Sequence, residues 1–323
     1  MKVTLEQIAE KIKCAKKIAV YGHIKTDCDC VGGMLAFKIM CERLGKHVDL
    51  FVDSEFGETL LHLPGLNEIN SATKKQYDLL VSLDTATAER LGKFRNEFVL
   101  HKNTVRIDHH ATEEPYSKFE YVNEKLPSNC LILRKLQKLL GVEDCDKIKF
   151  LLLSGVLADT GCFRFNSTNP ETLQIGADIF ENANFEWTDV VIPLFQNVSK
   201  KKRLLQGRAL SNAQFFENDQ IALLFISNSD LKEFGATLAD SGQMSFQVLD
   251  ISTVKIAIAV TEGRPGEFSV TFYSKGSLDI SVCAKAFGGG GHTGAAGCKL
   301  FGTKSQILPK LVAEAQKVIR RTK

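Results

Sequence analysis

Four short clusters carry carboxylates and imidazoles at spacings that could hold a cation. The first, HIKTDCDC, puts His23, Asp27 and Asp29 within seven residues. On extended backbone Asp27 and Asp29 would point to opposite sides and serve two different ions, with His23 joining Asp27 on one of them. The second is Asp84, which closes the apolar run LLVSLD and has a helix N-cap as its ordinary alternative. The third is Asp108-His109-His110, two adjacent histidines behind a carboxylate in a chain with seven histidines. A neutral imidazole is a common metal ligand, and a neighbouring carboxylate can fix its tautomer. The fourth is Asp159 in LADTG, a sequence that also makes ordinary turns.

Together these form a set of oxygen and nitrogen donors without obligatory thiolates, which suits manganese or magnesium better than a structural zinc. Two ions roughly 3.5–4 Å apart can clamp a phosphate and lower the pKa of a bridging water. Asp84 or Asp159 is the natural carboxylate to share between them. Cys28 and Cys30 flank Asp29, but no four-cysteine spacing accompanies them, so they read as small apolar filler. A further cluster, FGGGGHTGAAGC, sets Gly288–Gly291 before His292. Consecutive glycines permit close backbone approach, and their amides can form an anion-binding nest. A flexible hinge is the plain alternative.

These residues need elements to position them. KKIAVYGH, HVDLFVD, YDLLVSLDTA and NTVRIDHH read as strands, alternating with helical patterns such as Val31–Leu44 before Gly45. That alternation predicts a parallel sheet flanked by helices, with the polar clusters at the carboxyl ends of its strands, where ligands collect in such sheets. Helices are expected over 128–140 and 146–158. The polar segment NVSKKKRLLQGRALSNAQ reads as a linker helix. IALLFIS, TVKIAIAVTE and EFSVTFYS then read as strands, the last two joined by GRPG, before a closing helix SQILPKLVAEAQKVI. The expected division is 1–190 for a metal-binding catalytic domain, 191–213 for the linker helix and 214–323 for a smaller α/β domain.

Composition limits the partners. The net charge of +3 is too mild for a general nucleic-acid-binding protein, so any phosphate ligand should be small and met by local charge or metal. No apolar run has the length of a membrane span, and MKVTLEQIAEKIKC lacks the apolar core of a signal peptide. Nine scattered cysteines, an odd number, suit a reducing compartment. The expectation is a cytoplasmic protein.

The ordered set HxxxDxD, a strand-end aspartate, DHH, DTG and GGGGHxxAAG resembles the DHH phosphoesterase family, in the branch with a DHH-associated C-terminal domain, over nearly the whole chain. The resemblance implies two Mn2+ ions per chain, with Mg2+ or Co2+ as alternatives, and an active site in the interdomain cleft. His23, Asp27 and Asp84 would hold one ion. Asp29, Asp84, His109 and Asp159 would hold the other, with Asp84 bridging. Asp108 would orient the histidine pair and His110 would contact the phosphate. Gly289, Gly290, Gly291 and His292 would receive substrate from the second domain.

The chain departs from the family pattern at Thr26 and Cys28, at Gly32-Gly33, and at Tyr273-Ser274-Lys275, where Arg-Ser is common. A tyrosine could stack on a base where arginine would fork onto a phosphate, and Lys275, on the same strand face, could restore a charge. The implied activity is release of 5′-mononucleotides from oligonucleotides of a few residues, and dephosphorylation of pAp. The alternatives are a cyclic- or linear-dinucleotide phosphodiesterase in signalling and a nucleotide-binding regulator with a dead site. No membrane partner is expected, and a homodimer is compatible with the sequence.

Overall fold

The computed structural model describes residues 1–72, 76–110, 114–242 and 244–321, with the side chains of Phe246 and His292 outside the description. The chain divides into two units, Met1–Asn197 and Val198–Lys323.

In the first unit five strands, β1 (Lys17–Tyr21), β2 (His47–Phe51), β3 (Leu79–Leu83), β4 (Thr104–Asp108) and β5 (Phe119–Val122), form a wholly parallel sheet in the order β2-β1-β3-β4-β5. Alternation decides the faces. Ile18, Val20, Leu79, Val81, Leu83, Val105 and Ile107 join the main core, whereas Ala19, Tyr21, Phe51 and Leu80 join a smaller aromatic cluster with Leu91 and Phe98.

The main core is closed by α1 (Leu5–Cys14) and α2 (Cys28–Arg43), and the aromatic face by α3 (Arg95–Leu100) and the 3-10 turn before it. Helices α4 (Asn129–Leu140) and α5 (Asp146–Thr160) complete the main core, followed by α6 (Pro170–Phe180) and α7 (Trp187–Val191). The chain leaves β1 for β2 on one side and places β3 on the other. The switch point of the sheet therefore lies between β1 and β3, where a crevice opens beyond the strand ends.

Helix α2 is buried nearly all round from Cys28 to Phe37, which fixes the loop before it. Gly32 makes this fit: a Cβ there would stand 2.6 Å from the Leu151 carbonyl oxygen of α5. This helix also starts earlier than its apolar spacing suggests. Asp27 caps it, accepting from the Asp29 and Cys30 amides at 3.1 Å, so Asp29 lies in the first turn and not on extended backbone. The strand-based argument for the two aspartates is thereby replaced by a helix-start geometry. Strand β5 has no counterpart in the sequence reading, because FEYV interrupts its apolar residues with Glu120. That glutamate is buried, and its carboxylate accepts the Tyr116 and Ser117 amides.

The second unit begins with α8 (Lys200–Ser211) and a mixed sheet of β6 (Gln214–Phe216), β7 (Ile221–Ile226), β8 (Ile256–Arg264), β9 (Glu267–Ser274), β10 (Gly290–His292) and β11 (Ala295–Phe301). Its order is β10-β11-β9-β8-β7-β6, with β7 and β8 parallel and the other pairs antiparallel. Phe268, Val270 and Phe272 pack with the apolar stripe of the last helix, residues Lys304–Arg321, while Ala257 and Ala259 pack with Leu205 and Ala209 of α8 on the other face. Among the described residues no helix is long and apolar enough to cross a membrane.

Candidate active site

The C-terminal ends of β1, β3 and β4, together with the start of α2 and the end of α5, bring eight of the expected residues together. His23 follows β1 by two residues and is buried. Its Nε2 lies 3.5 Å from Asp27 Oδ2 and 3.4 Å from Asp84 Oδ2. On the other side of Asp84, His109 Nε2 lies 3.2 Å from Asp84 Oδ1, 3.4 Å from Asp159 Oδ2 and 3.8 Å from Asp29 Oδ2. Asp84 thus stands between the two imidazoles, one carboxylate oxygen toward each.

Asp84 is not a helix cap; the 3-10 turn that follows starts only at Ala88, after Thr87. Its φ is 52°, a left-handed conformation that costs a side chain other than glycine and that aspartate tolerates better than most. Its amide still donates to the Ile107 carbonyl at 3.1 Å. Strained backbone held by surrounding structure is characteristic of functional positions.

The donor set fits divalent cations. Asp84 Oδ1 and His109 Nε2, 3.2 Å apart, are both buried, and among the described residues neither has a hydrogen-bond partner. Buried polar atoms are rarely left so, and the arrangement is what ligands awaiting an ion present. The titration behaviour agrees. Burial and the Asp84 charge push Asp29 above the usual carboxylate range, against donors from Ser128 and Cys130 and the His109 charge. Burial and the Asp29, Asp27 and Asp84 charges push Asp159 well up. Burial would lower His109, but the Asp84 contact and the charges of Asp29, Asp84 and Asp108 raise it to about 9. His23 is raised to about 10, its burial outweighed by Asp27 and Asp84.

Cys30 Sγ lies within 4.8 Å of the His23 and Asp84 ligand atoms. Its thiol faces the Leu83 carbonyl and Met34 Sδ at 3.9 Å, and burial drives its pKa well up, which keeps it protonated.

Asp108 plays a separate part. Its Oδ1 accepts the His109 and His110 amides at 2.8 and 3.2 Å and His110 Nδ1–H at 2.8 Å. That places a ring hydrogen of His110 on Nδ1. Arg106, buried in β4, donates through Nε and Nη2 to Asp108 Oδ2 and through Nη2 to the Ala86 carbonyl. Burial opposes ionisation of Asp108, but His110 and the guanidinium outweigh it and hold the carboxyl below its ordinary range.

Arg106 is absent from the sequence reading, although a charged residue inside TVRID was a signal. Also absent is the cradle for Asp29: the Ser128 hydroxyl and the Asn129 and Cys130 amides at the start of α4 all donate to its carboxylate. Ser128 before an apolar helix was a readable N-cap, but nothing local tied it to a residue a hundred positions earlier.

The remaining expected residues lie together in the second unit. β10 and β11 form a hairpin, and Ala295 pairs with Tyr273. Gly290 and Gly291, the second half of the glycine run, therefore lie in an edge strand, with Gly288 in the turn before it. A Cβ at Gly291, whose φ is 148°, would meet Ala296 Cα at 2.4 Å. Ser274 ties the hairpin turn down, its amide donating to the Gly294 carbonyl at 3.1 Å and its hydroxyl to Leu278 at 2.7 Å. Tyr273 is partly buried against the α8 side of the sheet, and Lys275 Nζ donates to the Ile251 carbonyl at 2.8 Å. Gly289 and Gly290 belong to the same segment, Gly290 exposed. The His292 side chain, expected to meet substrate, lies outside the described residues.

Comparison with known proteins matches residues 17–156 to the DHH family, N-terminal domain, and residues 218–321 to the DHHA1 domain. The Bacillus subtilis bifunctional oligoribonuclease and PAP phosphatase NrnA is 25% identical over 301 residues, which cover 91% of this chain and 93% of that protein. A Streptococcus mutans protein described as a probable enzyme of the same kind is 26% identical over 304 residues, covering 91% of this chain and 93% of its own length. The crystal structure of an exopolyphosphatase-related protein from Bacteroides fragilis superposes with a TM-score of 0.89 at 20% identity, covering 98% of this chain and 95% of that one, and shares the fold.

Proposed function

Because the chain belongs to the DHH family of phosphoesterases, with a DHHA1 domain following the DHH domain, we propose that it hydrolyses oligoribonucleotides a few residues long to 5′-mononucleotides and removes the 3′-phosphate of pAp. The relatives named for both activities, similar over nine-tenths of the chain, support the substrate class. The observation that carries the reading is the buried Asp84 Oδ1 and His109 Nε2, 3.2 Å apart and, among the described residues, without a hydrogen-bond partner, inside a ring of carboxylates.

His23, Asp27 and Asp84 would hold one divalent cation, and Asp29, Asp84, His109 and Asp159 a second. Manganese is favoured by a donor set of carboxylates and neutral imidazoles. Such cations supply Lewis-acid polarisation of the phosphoryl oxygens and acidify water at neutral pH. The protein's own groups do the rest. The Ser128, Asn129 and Cys130 donors hold the Asp29 carboxylate in a fixed orientation. Asp108 accepts the Nδ1 hydrogen of His110, so that a protonated His110 would donate its Nε2–H to a phosphate oxygen. His110 and Arg106 together favour the ionised form of Asp108. The glycine hairpin and His292 are proposed to meet the substrate from the DHHA1 domain, with Tyr273 beside them.

A panel of dinucleotides, RNAs of three to five residues, pAp, cyclic dinucleotides and pyrophosphate, each with manganese and with chelator, tests the reading. Mononucleotide release from the short RNAs and AMP from pAp are expected, both abolished by chelation. His292→Ala should lose rate while keeping its cations. Exclusive turnover of cyclic dinucleotides would transfer the protein to signalling, and turnover of pyrophosphate alone would overturn the proposal.

A further inference from the structure

Two arginines reach into the interior of the first unit with carboxylate partners: Arg106 with Asp108, and Arg134 with Asp144 and Asp178. Arg90 differs. It lies six residues beyond Asp84, in the 3-10 helix Ala88–Phe94, partly buried, and among the described residues no carboxylate pairs with it. Its Nε is buried without a partner, and its Nη2 stands 2.9 Å from His23 Nδ1. The main chain is fixed there: the Ile24 amide donates to the Arg90 carbonyl at 2.7 Å, and the Arg90 amide donates to Thr87 at 3.1 Å. The guanidinium is thus anchored against the loop that carries His23.

The contact with His23 does not satisfy this guanidinium. A neutral imidazole has one ring hydrogen. With Nε2 turned toward the Asp27 and Asp84 carboxylates as a ligand atom, the hydrogen belongs on Nδ1, where the Ile24 carbonyl accepts it at 2.9 Å. Nη2 then brings a donor to an atom that has no lone pair to offer. An arginine held beside His23 therefore has donors at Nη2 and Nε and, among the described residues, no acceptor for either.

Charge points the same way. Two divalent cations would balance Asp27, Asp29, Asp84 and Asp159, leaving the negative charge of an entering phosphate without a counter-charge. Guanidinium is the side chain best shaped to fork two donors onto phosphate oxygens.

We propose that Arg90 is a phosphate-binding residue of the active site, taking a non-bridging oxygen of the substrate phosphate. The proposal rests on the phosphoesterase reading above and adds to it a residue of the DHH unit that belongs to none of the metal-ligand clusters.

The test compares the manganese-loaded full-length protein with Arg90→Gln and Arg90→Lys, each checked for folding by thermal unfolding. Cation content, binding of inorganic phosphate by calorimetry, and kcat/KM on a dinucleotide are measured. Arg90→Gln should retain its cations, bind phosphate more weakly and lose about a hundredfold in kcat/KM. Arg90→Lys, which keeps the charge but not the fork, should recover part of both losses. Native phosphate binding and native kcat/KM in Arg90→Gln would overturn the proposal. Loss of cations in both variants would also overturn it, assigning Arg90 instead to the support of His23. A native protein that binds phosphate yet hydrolyses no ester would defeat the phosphoesterase reading, while the calorimetric difference between native and Arg90→Gln would still decide the role of Arg90.

Discussion

Asp84 and Arg106 show how differently single residues announce themselves. Asp84 was visible as a strand-end aspartate, but its sequence equally suited a helix cap. Only the left-handed φ of 52° and the imidazole on each side of its carboxylate separate the two roles. Arg106 gave a local signal without a partner: a charge inside an apolar strand has to be paired, and Asp108, two residues on along the same face, pairs with it. Removing it strands a buried carboxylate. Arg106→Met should cost about 3 kcal/mol in urea unfolding, since breaking one side of a buried pair leaves the other uncompensated. It should also slow turnover, because Asp108 then keeps only His110 of the two groups that favour its ionised form. A variant as stable and active as the native protein would remove Arg106 from the account.

At the scale of elements, period and capping carried most of the first unit. Four strands and the helices after residues 128 and 146 follow from apolar runs with polar ends. The start of α2 was missed because Asp27-Cys28-Asp29 is polar enough to look like loop, while the helix is held there by its neighbours and by the Asp27 cap. Strand β5 was missed because its pairing with β4, and not its composition, makes it a strand.

Helix α4 is tied to α6 by Arg134, which donates to Asp178 Oδ2 at 2.7 Å and pairs with Asp144 in the connection to α5. The Arg134 hydrogen bond holds Asp144 below its ordinary pKa. Burial opposes the same effect at Asp178, but Arg134 and Lys138 prevail. A carboxylate depressed in the folded state adds stability that is fully present above its unfolded pKa of about 3.9 and is lost as pH falls through the folded value. Arg134→Met should therefore lower stability by about 2 kcal/mol at pH 7, and the gap from the native protein should narrow below about pH 4. A gap that stays constant down to pH 3 would show that these pairs do not contribute as argued.

For the whole molecule, the parallel order β2-β1-β3-β4-β5 explains why residues spread from His23 to Asp159 meet: the strand ends at the switch point converge on one crevice. The alternation of strand and helix made that convergence legible. The hydrogen bonds from Ser128, Asn129 and Cys130 to Asp29 were not legible, because they depend on how α4 docks across the start of α2. In the second unit the glycine run was legible as a place of close backbone approach. Its pairing as an edge strand against β11 required the fold. Tyr273 and Lys275 could be assigned to a strand, but the α8-side packing of the ring and the Ile251 carbonyl that accepts from Lys275 Nζ could not.

The central claim is that Asp84 serves two cations, and counting cations tests it most directly. After manganese loading and desalting, elemental analysis should find about two ions per native chain. In Asp84→Asn, which preserves side-chain shape, fewer than about one ion should remain, with hydrolysis of dinucleotides abolished. Retention of about two ions with substantial turnover in Asp84→Asn, or no retained metal in an active native protein, would contradict the account.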